Sequence, residues 1–207
     1  MEDLWLRHAK KLHAIASTGA SFTKDPYDKQ RYDEIAQIAV EMLAQIGSVP
    51  VQRIKDLIGP YSAGYVTPKV DVRGVVFRAN QLLLVKESTD GKWALPGGFA
   101  DIGLSPAENI AKEILEEAGI EVKVHALIGI RHKPKASYAP DARDFYKLFF
   151  GCEMIRRVNV RLDAGIAGWG YFGQNDIPDL STGRTIAADI DLAFAYRLNS
   201  PTAAFFE

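Results

Sequence analysis

The chain has 207 residues, 47% of them hydrophobic, with 25 basic and 26 acidic residues and a formal net charge of -1. That composition supports one sizeable core, or a core with a small extra module, and the balanced charge, with no long basic block, makes nucleic acid an unlikely partner. A lone cysteine, Cys152, excludes an intramolecular disulfide. It lies in the apolar run FYKLFFGCEMI and reads as a small buried hydrophobe rather than a catalytic thiol.

Residues 2 to 57 read as helical. In the first segment Leu4, Leu6, Ala9, Leu12, Ile15 and Ala16 recur at helical spacing. A loop is expected around Gly19 and Thr23, then a second helix from Asp25-Pro26 to Gly47 with Tyr32, Ile35, Ile38, Ala39 and Met42 or Leu43 as its apolar set. VQRIKDLIG makes a short third helix. Two amphipathic helices of this kind predict a packing element, and the expectation for residues 1–58 is homodimerisation. The N-terminus is charged and lacks the apolar core of a signal peptide, and no run reaches transmembrane length, so a soluble, cytoplasmic protein with no membrane partner is expected.

The turn-rich stretch GPYSAGYVTP, 59–68, marks a linker, and a second domain is expected over 69–207. There KVDVRGVVF and QLLLVKE read as strands joined at Ala79-Asn80. EVKVHALIGIRH and DFYKLFFGCEMI read as two more, joined by the loop KPKASYAPDA, and GWGYFGQ as a short one. STGRTIAADIDLAFAYRLN reads as a final helix with Ile186, Ile190, Ala193 and Phe194 on one face. Mixed strands and helices give an α/β or α+β class.

Between these elements, GLSPAENIAKEILEEAGIEV raises a chemical question. Ser105 as N-cap, Pro106 at the first position and Glu108 closing a capping box mark a helix start, and Gly119 fits the left-handed residue just past its end. Ala107, Ile110, Ala111, Ile114, Leu115 and Ala118 form the apolar stripe. Glu113, Glu116 and Glu117 then crowd the last turn, at the pole of the helix that disfavours acid. Lys112 is the one nearby neutralising charge. A hard divalent cation bound by carboxylate oxygen would resolve the conflict, against the plainer reading of a solvated acidic face. The glycine pair in LPGGFADIGLSP, just upstream, strengthens the cation reading, because exposed backbone there can approach an anionic ligand.

Gly98, Glu113, Ile114, Glu116, Glu117, Gly119 and Ile120 fall at the spacing of the Nudix box, G-x5-E-x7-R-E-U-x-E-E-x-G-U, and the chain resembles that family. It departs at two positions: Leu104 stands for the first Glu, and Lys112 for the Arg, which keeps the charge but loses the planar fork. Those departures bear on how the loop is oriented against the helix. GYVTPKVDVRGVVF, KWALPGGFADIGLSPAENIAKEILEEAGI and DLSTGR further resemble a Nudix subgroup that carries an N-terminal helical region.

The resemblance implies an α/β/α sandwich around a mixed sheet, and hydrolysis of a nucleoside diphosphate linked to another moiety, of the ADP-ribose or CDP-choline type. It implies Mg2+, with Mn2+ as a substitute. Glu113, Glu116 and Glu117 would hold the metal, with Gly97 or Gly98 offering a carbonyl. The general base stays open among Glu116, Glu113 and Glu153. For substrate, Arg73 lies on the open face of its strand or in a pocket; Arg131 and Lys147 could meet phosphate; Gly98 could approach it closely; and Phe99, Tyr65 or Trp93 could stack on a base. Lys133 and Lys135 read as solvated. The competing functions are a nucleotide sensor on the same fold without turnover and, more remotely, an RNA-end processor.

Overall fold

The computed structural model describes residues 2–199 and 203–206. The chain forms two compact units, one of Met1–Lys69 with Pro140–Asp144, the other of Val70–Ala139 with Phe145–Glu207. The sequence reading put 140–144 in the second domain, whereas Ala142 packs against the core cluster of the helical unit and the Asp144 carbonyl accepts the Lys69 N–H at 2.9 Å.

The helical unit contains α1 (Leu4–Phe22), α2 (Pro26–Gly47) and α3 (Val51–Ile58). Asp3 caps α1 and Asp25 caps α2, each carboxylate accepting two backbone N–H groups. The loop expected at Gly19 is instead helix, and α1 continues to Phe22. A Cβ at Gly19 would lie 2.6 Å from the Tyr32 ring, so this glycine serves helix–helix approach rather than a turn. The buried stripe also differs from the expected one. Leu6, Ala9, His13, Ala16 and Ser17 are inside on α1, and Ala39, Val40, Leu43 and Ala44 on α2. Leu4, Leu12, Ile15, Ile35 and Ile38, all assigned to the apolar set, are exposed.

In the second unit the strands are β1 (Lys69–Arg78, whose first residue belongs to the helical unit), β2 (Gln81–Glu87), β3 (Trp93–Ala94), β4 (Ile120–His132), β5 (Phe145–Arg157), β6 (Ile166–Phe172) and β7 (Phe205–Phe206). Among the described residues they make one mixed sheet in the order β3-β2-β1-β5-β4-β7, with β6 also paired to β2. Helix α4 (Pro106–Ala118) covers one face and α5 (Ala187–Asn199) the other. Strand alternation assigns the faces. Val72 and Val76 pack under Ile110 and Ile114, whereas Val75 packs under Ile190, Ala193 and Phe194. Gly74 lies beneath α4, where a Cβ would come within 2.6 Å of Ile114.

Helix α4 has both halves of its capping box, with Ser105 Oγ accepting the Glu108 N–H at 3.2 Å and Glu108 Oε2 accepting the Ser105 N–H at 2.7 Å. Gly119 ends it at φ +65°. Helix α5 starts at Ala187, later than the sequence pattern suggests. The preceding STGRT residues are spent on other bonds: Thr185 Oγ1 accepts the Leu95 N–H, and the Ser181 N–H donates to the Trp93 carbonyl. Strand β7 has no counterpart in the sequence reading.

Candidate active site

Residues 96–100 do not form a free loop. The Gly74 N–H donates to Pro96, Val72 to Gly98, and Ala100 to Val70, so the segment lies along β1 as an irregular strand. At Gly97, φ is +136° and a Cβ would sit 2.0 Å from the Val72 carbonyl oxygen, so no other residue fits.

The same segment runs along one face of α4. The Gly97 N–H donates to Glu117 Oε2 at 2.8 Å. A Cβ on Gly98 would lie 3.0 Å from Glu113 Oε1, so bare backbone faces that carboxylate. Glu117 is 8% exposed. Burial pushes its pKa up to about 8, with the Arg73 charge and the Gly97 hydrogen bond opposing, and Glu113 reinforcing. Burial raises Glu113 as well.

Glu116 is placed differently. Lys112 Nζ bonds Glu116 Oε2 at 2.8 Å and lies 3.3 Å from Asp101. The three acids are thereby divided: two face the glycine segment and one pairs at the surface. Among the described residues no three His, Cys, Asp or Glu side chains form a ready-made cation cage. The donor set at Gly97–Gly98 nevertheless suits a hard cation. It is all oxygen, it is partly desolvated, and burial raises the pKa of both carboxylates.

Behind the segment lies a buried charge cluster on the α5 face of the sheet. Arg73 grips Asp71 through two bonds of 2.8 and 2.9 Å and donates a third to the Leu95 carbonyl at 2.9 Å. Lys147 reaches the same Asp71 at 2.9 Å. Arg73 is 3% exposed and Lys147 1%. Burial pushes Asp71 up, but the Arg73 and Lys147 charges outweigh it and hold the group at about 2. Burial brings Lys147 down to about 8 against the opposing pull of Asp71. Arg73 and Lys147, expected to contact substrate, are thus engaged inside the protein, and Arg73 holds the strand end that leads into the glycine segment.

Arg131, also expected at phosphate, lies with Nε 3.2 Å from Asp189 Oδ1 and its guanidinium 5.1 Å from the Phe205 ring centre. The Tyr138 hydroxyl is 2.6 Å from both oxygens of the same Asp189, donating to one. Phe99 is half-exposed and stacks in parallel on Phe145 at 5.6 Å. Lys133, read as solvated, is in fact buried, because its ammonium lies over the Phe145 ring at 4.7 Å. Trp93 packs edge-on against Phe172. Tyr65 falls in the helical unit and is exposed there. Glu153 lines a groove of about 410 Å³ with His125, Tyr196 and Arg197. Cys152, one residue earlier on β5, faces α4. Its thiol is buried and pushed up to about 12, as a small hydrophobe would be.

Several supporting residues gave no sequence signal of their own. Asp71 is the acid that organises Arg73 and Lys147. Arg184, within DLSTGR, holds the buried Glu87 at 2.9 Å. Asn109, hidden in the polar part of the helix pattern, is 2% exposed.

Residues 67–190 match the NUDIX domain family, and residues 3–58 match a family described as a UDP-X-like, N-terminal oligomerisation domain. The chain belongs to the Nudix family and is a Nudix hydrolase. It is 38% identical, over 100% of its length and 99% of the relative's, to YjhB of Bacillus subtilis (strain 168), which is provisionally named an ADP-ribose pyrophosphatase. A crystal structure of a UDP-X diphosphatase superposes with a TM-score of 0.63 at 30% identity, covering 98% of each chain. An ADP-ribose pyrophosphatase structure from Streptococcus suis 89-1591 superposes at 0.61 and 30% identity, over 68% of this chain and 100% of that one. No helix among the described residues is long and apolar enough to cross a membrane.

Proposed function

We propose that the protein hydrolyses the diphosphate bridge of a nucleoside diphosphate linked to a second moiety, of the ADP-ribose, UDP-X or CDP-choline type. Water adds across the P–O–P bond, its oxygen going to one phosphorus and a proton to the departing phosphate. The products are a nucleoside monophosphate and a phosphorylated moiety. The observation that carries this reading is the apposition of Glu117 and Glu113 to the Gly97–Gly98 backbone, one buried and one partly buried carboxylate beside a bend that only a glycine at position 97 can form. The printed names of the similar proteins support the substrate class.

Glu113 and Glu117 would hold Mg2+, or Mn2+ in its place, with the Gly97 carbonyl as a further candidate ligand and Glu116 joining once Lys112 lets go. When bound, the cation would neutralise phosphate oxygens and lower the pKa of bound water. The chain's own part is to fix the carboxylates, to exclude bulk water at Glu117, and to accept a proton from the attacking water at Glu113 or Glu116. Gly98 lets phosphate approach the backbone. Arg131 and the half-exposed ring of Phe99 serve the substrate. Arg73 and Lys147 act from beneath, by keeping Asp71 and the segment in place. The helical unit joins two copies into a homodimer.

The test is a substrate panel of ADP-ribose, UDP-sugars and CDP-choline, with and without Mg2+, read by product identification. Monophosphate release that depends on Mg2+ is the expected result. Tight binding without turnover across the panel points instead to a nucleotide sensor.

A further inference from the structure

Three helix positions one turn apart face the glycine segment in order. Glu117 meets Gly97, Glu113 meets Gly98, and Asn109 meets Asp101. The segment therefore runs antiparallel to α4 on three rungs, and the third is the most completely bonded. Asn109 Oδ1 accepts the Asp101 N–H at 2.7 Å. Its Nδ2 shares two N–H groups among the carbonyls of Asp101, Leu104 and Ser105 at 3.3, 3.2 and 3.1 Å.

We propose that Asn109 is the positioning residue that sets the Gly97–Asp101 segment against the acid-bearing face of α4. The inference rests on the proposed metal-assisted hydrolysis. Two observations favour it. Leu104, where the family pattern has an acid, has no polar side-chain atom with which to close this loop, so closure falls to the helix. The rung at Gly97 also occupies an oxygen of Glu117, which a cation would claim for itself. Asn109 is the rung that uses no candidate metal ligand, and it holds the loop alike with and without the ion. It also fixes Asp101, and through Asp101 the position of Lys112, which decides whether Glu116 is paired or available.

The experiment compares wild type, Asn109→Ala, Asn109→Asp and the distant core variant Phe194→Leu. Mn2+ binding to the metal-free protein is read by titration calorimetry, and kcat and KM are read on ADP-ribose and UDP-glucose. Asn109→Ala is expected to weaken Mn2+ binding and lower kcat by about 10-fold or more, the scale of groups that orient metal ligands, with KM moving less. Asn109→Asp keeps the acceptor for the Asp101 N–H and loses the donor, so it falls between wild type and Asn109→Ala; it decides the question if the alanine variant does not fold. Phe194→Leu leaves both readouts near wild type. Mn2+ affinity and kcat within 2-fold of wild type in the Asn109 variants overturn the proposal, as does a wild-type protein that binds no Mn2+. A wild type inert on the substrates whose Mn2+ affinity still falls with Asn109 keeps the positioning role and sinks the hydrolytic reading alone.

Discussion

The two units lean towards opposite departures from the usual rules of burial, although the helical unit also shelters the pair Lys10–Glu2 and the sheet unit also exposes Ile102 and Ile155. The helical unit leaves Trp5, Ile15, Phe22, Ile35 and Ile38 outside, while ion pairs such as Lys29–Asp33 and Arg31–Asp28 sit in solvent on the same helices. The sheet unit places Asp71, Arg73, Lys147, Glu117 and Asp189 inside. Exposed apolar surface costs little until a second surface covers it, and it is a signature of assembly. Buried charge is costly at once unless each group is paired, and it persists where positioning or chemistry needs it. One unit therefore carries apolar surface suited to assembly, and the other holds its charges in pairs that cannot be taken apart singly.

The largest effect should come from breaking such a pair. Asp71→Asn leaves Arg73 and Lys147 buried without their anion. Lys147 can shed its proton, but Arg73 cannot. The expected loss of unfolding free energy is about 3–5 kcal/mol, the cost of an uncompensated buried charge. Urea denaturation at pH 7 measures it, and a loss below about 1 kcal/mol contradicts the reading of this cluster as mutually dependent.

Glu117 gives the next largest effect, and its sign depends on pH. In the unfolded chain this carboxyl releases its proton near 4.5, and in the fold near 8. Between those values the folded state holds a proton that the unfolded state has lost, so the group's contribution to stability is full below pH 4.5 and is lost as pH rises towards 8. Burial shifts Glu113, Glu87 and Asp189 upward as well, which adds to the same slope. For Glu117 alone the metal-free protein should lose on the order of 2–4 kcal/mol between pH 5 and 8. Glu117→Gln should flatten that slope and raise metal-free stability at pH 8, while lowering kcat by on the order of 100-fold or more. Denaturant unfolding across pH, with and without Mg2+, reads both signs, and a variant that keeps wild-type turnover removes Glu117 from the ligand set.

How legible these features were in the sequence depended on the range of the interactions behind them. The ends of α4 were readable because each signal is local: the capping box joins Ser105 to Glu108, three residues on, and Gly119 directly follows the last helical residue. Strands β1, β2, β4, β5 and β6 and the two covering helices followed from alternation and helical period, whereas the two-residue strands β3 and β7 were not foreseen. Asp71 and Lys147 are 76 residues apart, and nothing in either neighbourhood announces the bond between them. Arg73 was noticed as a charge in an apolar strand, but the choice between open face and interior turned on Asp71, which the pattern did not flag. Asn109 was missed because its partners are backbone groups of a loop whose path no local rule dictates. Gly19 misled for the opposite reason. It looked like a break, while its purpose is the approach of Tyr32.

The exposed apolar face of the helical unit supplies the third effect. Ile38 is 50% exposed on α2, on the helix whose inner face is already filled by Ala39, Val40 and Leu43. Ile38→Asp should leave the monomer folded, since no core contact is lost, and should weaken self-association by about 10- to 100-fold, the scale of a central interface residue. Sedimentation velocity at micromolar concentration should show a dimer for wild type and a shift towards monomer for the variant. A wild-type protein that sediments as a monomer removes the dimer.

The smallest effect is the sharpest control on the comparison. Lys29 and Asp33 are bonded at 2.6 Å, shorter than any contact of Asp71 with Arg73 or Lys147, yet their side chains are 56% and 54% exposed. If distance set the strength, Lys29→Ala would rival Asp71→Asn. Solvent screening and the entropy of two long side chains argue otherwise, and a pair one helical turn apart should contribute no more than about 0.5 kcal/mol. Urea midpoints of Lys29→Ala and wild type should therefore nearly coincide, and 0.5 M salt, which screens the pair, should narrow even that gap. A loss above about 1 kcal/mol would mean that the helical unit, like the sheet unit, draws on its charges for stability, and the contrast between the two would have to rest on the apolar face alone.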